Sequence, residues 1–390
     1  MEDIHKISQI SINNQKSEFC FSSNSGIKKF GMENFEEKYS SDNLEFKLGS
    51  ISLSLFLDQD NTLIFVGSKY NKDYPEEKIV FFDLNKKTEI FSQSFEKGIT
   101  NVKFIDNFVY LCFDQDLKLY SLNDKMNNLE LKEEYTLSNE YKNLFEVWEV
   151  KDKDDKENKI FLSYPYKKEL IILSNTTDDW KLVNKLNIPS PVNKIQNLFY
   201  IKKLNQLFIC DENATYIYSF DINDGTVKLC LRRGTNPGFI TSMTLLNNNF
   251  LAIMNKNKTI HIFDLDINNN AFSFSNIVYS VVYGIQEIYP CIRIYFKDLI
   301  EGKEGEFVQK DFNSKGAILV SEDESQILNV IAYNGFAYKI KVNFKEYKYE
   351  LLKKVNYAKP KNLLLKEGNK QTLSLFHSSS DEKEKEEEEK

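Results

Sequence analysis

Lys78-Ile-Val-Phe-Phe-Asp-Leu84, Asp116-Leu-Lys-Leu-Tyr-Ser-Leu122, Thr215-Tyr-Ile-Tyr-Ser-Phe-Asp-Ile222 and Thr259-Ile-His-Ile-Phe-Asp-Leu265 are four versions of one phrase, an apolar run closed by a polar residue and an aliphatic one. Weaker versions are Gly26-Ile-Lys-Lys-Phe-Gly-Met32, Glu169-Leu-Ile-Ile-Leu-Ser174 and Gly335-Phe-Ala-Tyr-Lys-Ile-Lys-Val342. β-Branched and aromatic side chains fit a pleated surface, and the Asn, Asp, Ser, Lys and Gly clusters between the runs are turn chemistry. Anchored at their last polar residues, the seven units fall at positions 31, 83, 121, 174, 221, 264 and 341. The first five intervals span 38 to 53 residues, near the ~40–50 residues of a four-stranded propeller blade. The last interval is 77 residues, which implies an insertion of roughly thirty residues on that scale.

Seven such units close into a ring that leaves only short exposed edges. The fold expected is therefore all-β, a seven-bladed β-propeller of divergent WD-repeat type over residues 5–357. A pair of β-sandwiches would use similar strands but does not predict a near-regular period along the chain. The usual Trp-Asp dipeptide is missing, since Glu149 follows Trp148 and Lys181 follows Trp180.

Composition narrows the function. With 41% hydrophobic and 14% aromatic residues among 390, the chain can bury a large core. Apolar runs such as Leu170-Ile-Ile-Leu173 are far shorter than the ~20 residues that span a bilayer. No signal-peptide core follows Met1-Glu2-Asp3. Cys20, Cys112, Cys210, Cys230 and Cys291 are odd in number and widely spaced, which reads as reduced packing cysteines of a cytoplasmic protein. His5, His261 and His377 make no metal cluster, and neither a metal nor a cofactor is expected. The net charge is −7, and the last ten residues hold seven acids against three lysines. No basic surplus points to nucleic acid. The tail, residues 366–390, reads as disordered and acidic, and the charged run Lys151 to Glu157 as an exposed loop of the fourth unit.

Of 51 basic residues only Arg232, Arg233 and Arg293 are arginine, and two are adjacent. Arginine presents a planar fork of donors that fits phosphate or carboxylate, which lysine does not. The pattern indicates an oxyanion site, with surface ion pairs as the plainer alternative.

Leu231-Arg232-Arg233-Gly234-Thr235 matches the [F/L]-R-R-G motif of the PROPPIN (WIPI) family, phosphoinositide-binding WD-repeat β-propellers of autophagy and endosomal membranes. Flanking segments agree. Phe239-Ile-Thr-Ser-Met-Thr resembles the family's IYSISF strand, Thr259-Ile-His-Ile-Phe263 its TVHIF, and Arg293-Ile-Tyr-Phe-Lys297 its RSFAK. Asn14-Gln15-Lys16-Ser17 with Gly26 to Phe30 resembles its first blade, and the resemblance covers roughly residues 7–345. It implies two head-group pockets, one on each side of the arginine pair, because neighbouring strand residues point to opposite sides. Arg233, Thr259, His261 and Arg293 match the second pocket, and Gly234 completes the motif. Thr215 and Arg232 match the first, but Asp211 and Tyr218 replace its Ser and Arg, and a carboxylate opposes a phosphate there. Met254 and Asn255 replace family serines near the second. Beside a phosphate, His261 could become protonated.

The extra length falls between Leu265 and Pro290 and resembles the family's membrane-entering loop of blade six, residues 266–290. Phe272, Phe274, Ile277, Val278 and Tyr279 would be its inserting surface, continued by Val281, Val282 and Tyr283. The same run reads equally as one more buried strand. The resemblance implies a non-catalytic, peripheral membrane scaffold that binds phosphatidylinositol 3-phosphate, with the 3,5-bisphosphate as second ligand. Its partners would be autophagy proteins such as a large lipid-transfer protein, on autophagic precursor, endosomal or vacuolar membranes. Two other classes compete. A sialidase-like hydrolase also uses three arginines but requires Ser-x-Asp-x-Gly-x-Thr-Trp turns, which are missing here. A generic WD-repeat interaction scaffold without lipid binding leaves the economy of arginine unexplained.

Overall fold

The computed structural model describes residues 7–13, 16–41, 48–57, 61–123, 127–151, 158–175, 180–189, 192–256, 259–266, 287–299, 316–320, 326–333, 335–357 and 372–373. These residues build seven sheets, each founded on a meander of four antiparallel strands and two of them extended by a short fifth strand, as a seven-bladed propeller requires. Neighbouring first strands contact one another around the centre. The seven phrases of the repeat are the third strands of the seven blades: Gly26–Gly31, Lys78–Asp83, Asp116–Leu122, Glu169–Asn175, Tyr216–Asp221, Thr259–Asp264 and Phe336–Asn343.

The third strand carries the legible signal because it is covered on both faces by the adjoining blades. Ile79, Val80, Phe81 and Phe82 are all fully buried, so the run is continuously apolar instead of alternating. Outer strands such as Thr88–Ser94 and Leu129–Thr136 are largely exposed and correspondingly polar. The buried side chains gather into seven clusters, each shared by two adjacent blades. The core of this protein is thus a ring of seams. Cys20, Cys112, Cys210 and Cys230 are buried in it, Cys291 is half-buried, and all five are free thiols.

Polar side chains tie several seams as well. Ser8 Oγ donates to the Ile51 carbonyl at 2.6 Å, and Asn101 Nδ2 to that of Asn143 at 3.2 Å. At the fifth seam the Gln196 amide donates to Gly238 O at 2.9 Å and accepts from Ile240 N at 3.0 Å.

Among the described residues, blades one and seven share no strand. Blade one uses Ile7–Ile12 through Glu37–Ser40, and blade seven uses Gly316–Val320 through Lys348–Asn356. Side-chain contacts join them. Tyr357, 3% exposed, sits 5.6 Å from Phe19, 5.2 Å from Phe21 and 5.7 Å from Phe30 between ring centroids. Its hydroxyl donates to Ala332 O at 2.5 Å, and the Tyr333 hydroxyl accepts from Ile10 N at 3.2 Å.

The extra length is distributed differently from the sequence expectation. Residues 267–286 separate the third and fourth strands of blade six, as expected, but 300–315 add a second long connection before blade seven. The proposed inserting residues Phe272, Phe274, Ile277, Val278 and Tyr279 lie outside the described residues, as does the tail apart from Thr372–Leu373, which pairs with blade seven. No helix among the described residues is long and apolar enough to cross a membrane.

Truncating the closing aromatic should weaken the ring. Tyr357→Ala should lower stability by about 3–5 kcal/mol, the usual loss for a buried aromatic. Tyr357→Phe, which removes only the hydroxyl, should lower it by about 1 kcal/mol. Urea unfolding midpoints of the two variants measure both values.

Candidate functional site

The arginine pair ends the outer strand of blade five. Arg232 is its last residue and lies opposite Tyr216, and Arg233 N donates to Thr215 O at 3.0 Å. Residues 211–216 form a tight turn in which Asp211 Oδ1 accepts from Tyr216 N at 2.8 Å and Ala214 N donates to Asp211 O at 2.9 Å. That turn presents carbonyls to Arg233, whose Nε donates to Ala214 O at 2.6 Å. Nη2 donates to Asn213 O at 3.5 Å and also to Asn236 O. Arg233 is 5% exposed. Burial pulls its pKa down, with Asp211 opposing.

The chain then runs to blade six through a segment fixed by Gln196. Gly238 is required there. A Cβ on it would fall 2.6 Å from Asn255 Nδ2 and 3.0 Å from Arg233 Nη2. Gly234, at φ 154°, has nothing near its missing Cβ and opens onto a cleft of about 670 Å³ at the seam of blades five and six.

Thr259 and His261 enter this cleft from the third strand of blade six, two residues apart and so on one side of the sheet. On the neighbouring outer strand, Pro290–Tyr295, Arg293 pairs in register with His261 and Tyr295 with Thr259. Arg293 is exposed. His261 is 6% exposed, and its Nε2 lies 3.0 Å from Thr259 Oγ1, while Nδ1 has no hydrogen-bond partner among the described residues. Burial, then the charges of Arg233 and Arg293, push its pKa down to about 3. The imidazole of the free protein is therefore neutral.

Arg232 makes a different set of contacts. Its Nη1 donates to Glu287 Oε2 at 3.2 Å and to the Tyr289 hydroxyl at 3.1 Å. The guanidinium stands 5.6 Å from the centre of the Tyr216 ring and 5.8 Å from that of Tyr289.

Six of the sequence-derived residues, Arg232, Arg233, Gly234, Thr259, His261 and Arg293, therefore border one cleft. Both arginines border this cleft, Arg232 on the side of Glu287 and Tyr289 and Arg233 on the side of the 211–216 turn. Arg233 is the first residue past the strand. Thr215 does not line the cleft; its carbonyl holds the Arg233 amide from behind. Tyr218, 2% exposed, packs in the core between blades four and five, and Asp211 is taken up by its turn, so neither forms a rim pocket. Sequence reasoning missed Glu287, Tyr289 and Tyr295. The available signal was that Glu287 is the sole acid between Asp266 and Asp298.

The neutral imidazole has a measurable consequence. An unfolded histidine takes up a proton below about pH 6.5, whereas folded His261 resists protonation down to about 3. Its contribution to stability is complete above the unfolded value and is lost as pH falls toward the folded one. Within that window the slope is up to about 1.4 kcal/mol per pH unit. Urea titrations should show His261→Gln flattening this dependence relative to the parent protein.

No family profile and no curated protein matches the chain by sequence. Among solved structures it is similar to Kluyveromyces lactis Hsv2 with its complete loop 6CD, at 15% identity and TM-score 0.66, covering 90% of this chain and 99% of that one. It is also similar to KlAtg21 in its complex with the coiled coil of AgAtg16, at 16% identity and TM-score 0.63, with coverages of 90% and 99%. Saccharomyces cerevisiae Sqt1 follows at 11% identity and TM-score 0.57, covering 89% of this chain and 85% of that one. Likeness at these identities is a likeness of fold, and it agrees with the strand order: the chain is a seven-bladed β-propeller of the architecture seen in Hsv2 and Atg21.

Proposed function

We propose that the chain is a non-catalytic phosphoinositide effector of the PROPPIN family that binds phosphatidylinositol 3-phosphate in the cleft between blades five and six. The observation that carries this reading is the convergence of all three arginines, from two blades and 61 residues of sequence, on that one cleft. A phosphomonoester needs forked donors and hydroxyls around it. Arg233, Arg293 and Thr259 supply them, and Arg233 is already held by carbonyls, so little ordering accompanies binding. Proton transfer is poorly served. Arginine does not deprotonate in proteins, and an imidazole at about 3 is far from the working pH of a general base.

The fold neighbours support the same reading. Residues 266–290 occupy the connection between the third and fourth strands of blade six, and one solved neighbour is KlHsv2 with loop 6CD replaced by a Gly-Ser linker. In this chain the segment would insert Phe272, Phe274, Ile277, Val278 and Tyr279 into the bilayer, adding apolar burial to head-group recognition in the two-signal manner of stable anchoring. The Atg21 neighbour is in complex with an Atg16 coiled coil. By analogy this chain would bring autophagy or endosomal factors to autophagic precursor, endosomal or vacuolar membranes, with residues 366–390 as an acidic extension. The 3,5-bisphosphate is the second and weaker ligand of this reading.

Flotation with phosphatidylcholine vesicles that contain or lack phosphatidylinositol 3-phosphate tests it. The parent protein should float only with the lipid. Arg232→Thr with Arg233→Thr should abolish flotation, and exposed Arg293→Gln, which spares the buried clamp, should reduce it at least tenfold, about 1.4 kcal/mol. A Gly-Ser linker in place of 267–286 should weaken flotation without abolishing soluble head-group binding. Flotation indifferent to these arginines would leave an interaction scaffold that does not read lipids.

A further inference from the structure

The chain returning from residues 267–286 does not go straight to blade six. Glu287–Ile288 first adds to blade five as a fifth strand, parallel to the arginine strand, with Cys230 opposite Glu287 and Leu231 opposite Ile288. It then crosses the seam at Tyr289 and enters blade six at Pro290. This detour places the Glu287 carboxylate against Arg232. Glu287 is 2% exposed, and its Oε2 accepts from the Tyr289 hydroxyl at 2.7 Å and from Arg232 Nη1 at 3.2 Å. Arg232 also donates to the Tyr289 hydroxyl at 3.1 Å, which closes a three-membered ring of hydrogen bonds.

The cleft is therefore electrostatically lopsided. On one side Arg232 is matched by a carboxylate. On the other, Arg233 is held by neutral carbonyls, and Arg293 is exposed next to it. We infer that Glu287 is a specificity-determining residue that makes this cleft a reader of a single phosphomonoester and rejects head groups whose second phosphate reaches the Arg232 side. This rests on the head-group reading above. A second phosphate there would have to share Arg232 with a like charge, and drawing the guanidinium away would leave Glu287 buried and unpaired. The carboxylate cannot turn to water, because the strand pairing fixes its backbone and the fold covers its side chain.

Glu287→Gln keeps the shape and the acceptor for Tyr289 but removes the charge. The test compares flotation of the parent and E287Q with phosphatidylcholine vesicles carrying phosphatidylinositol 3-phosphate or its 3,5-bisphosphate, matched in total negative charge with phosphatidylserine. Inorganic phosphate added as competitor separates recognition of a lipid-borne group from that of any phosphate. The parent should prefer the monophosphate by about tenfold, as expected for one uncompensated like-charge contact. E287Q should bring the two lipids to within about threefold by gaining bisphosphate binding, a gain that misfolding cannot produce. A parent that floats with neither lipid defeats the head-group reading itself. A parent that floats equally with both, an E287Q protein that keeps the preference, or one that loses both lipids at unchanged Tm overturns the role of Glu287 and leaves that reading standing.

Discussion

Everything in this protein hangs on seams. Each blade is a small antiparallel sheet that could not stay folded alone, and its apolar faces are satisfied only by the neighbouring blades. The seam between blades seven and one brings together the two ends of the ring. Tyr357 with Phe19, Phe21 and Phe30, and the Tyr333 hydroxyl on Ile10, do by side-chain contact what a shared strand would do by backbone pairing. Aromatic rings suit this task because each covers a large apolar area with few torsions to immobilise.

The cleft inherits its rigidity from a second seam. Gln196 spans the junction of blades five and six and fixes the segment that follows the arginines. Arg233 in turn is clamped by the carbonyls of a turn that Asp211 stabilises. A desolvated guanidinium facing carbonyl oxygens retains its charge while its outward donors remain aimed at the cleft. Burial first, then the field of Arg233 together with that of Arg293, keeps His261 neutral. Positive charge, a neutral ring nitrogen and the Thr259 hydroxyl are thus brought together by folding before any ligand arrives.

The repeat was readable because the third strands are largely buried, some on both faces throughout, which favours an apolar run ending at a turn. Lys78–Asp83 and Thr259–Asp264 show that run most plainly, and all seven third strands fall where the phrase recurs. The exposed outer strands left a weaker trace, and the length beyond blade six was assigned to one insertion where two connections share it. Arg232, Arg233 and Arg293 stood out because the chain otherwise uses lysine, and arginine is kept where a planar fork of donors matters.

Sequence alone determined the blade count, the third strands and the identity of the cationic residues, since each is a local property of residue type and spacing. Which groups those cations meet was decided by the tertiary structure. Arg232 meets a carboxylate and a tyrosine hydroxyl, whereas Arg233, its neighbour in the chain, meets the carbonyls of a turn. Tyr218 occupies a rim position in the family pattern but is buried in this fold. Glu287, fifty-five positions from Arg232, reaches it only because a two-residue strand pairs with blade five before the chain enters blade six. Such a contact depends on where the chain crosses a seam, and no periodicity in the sequence encodes a crossing.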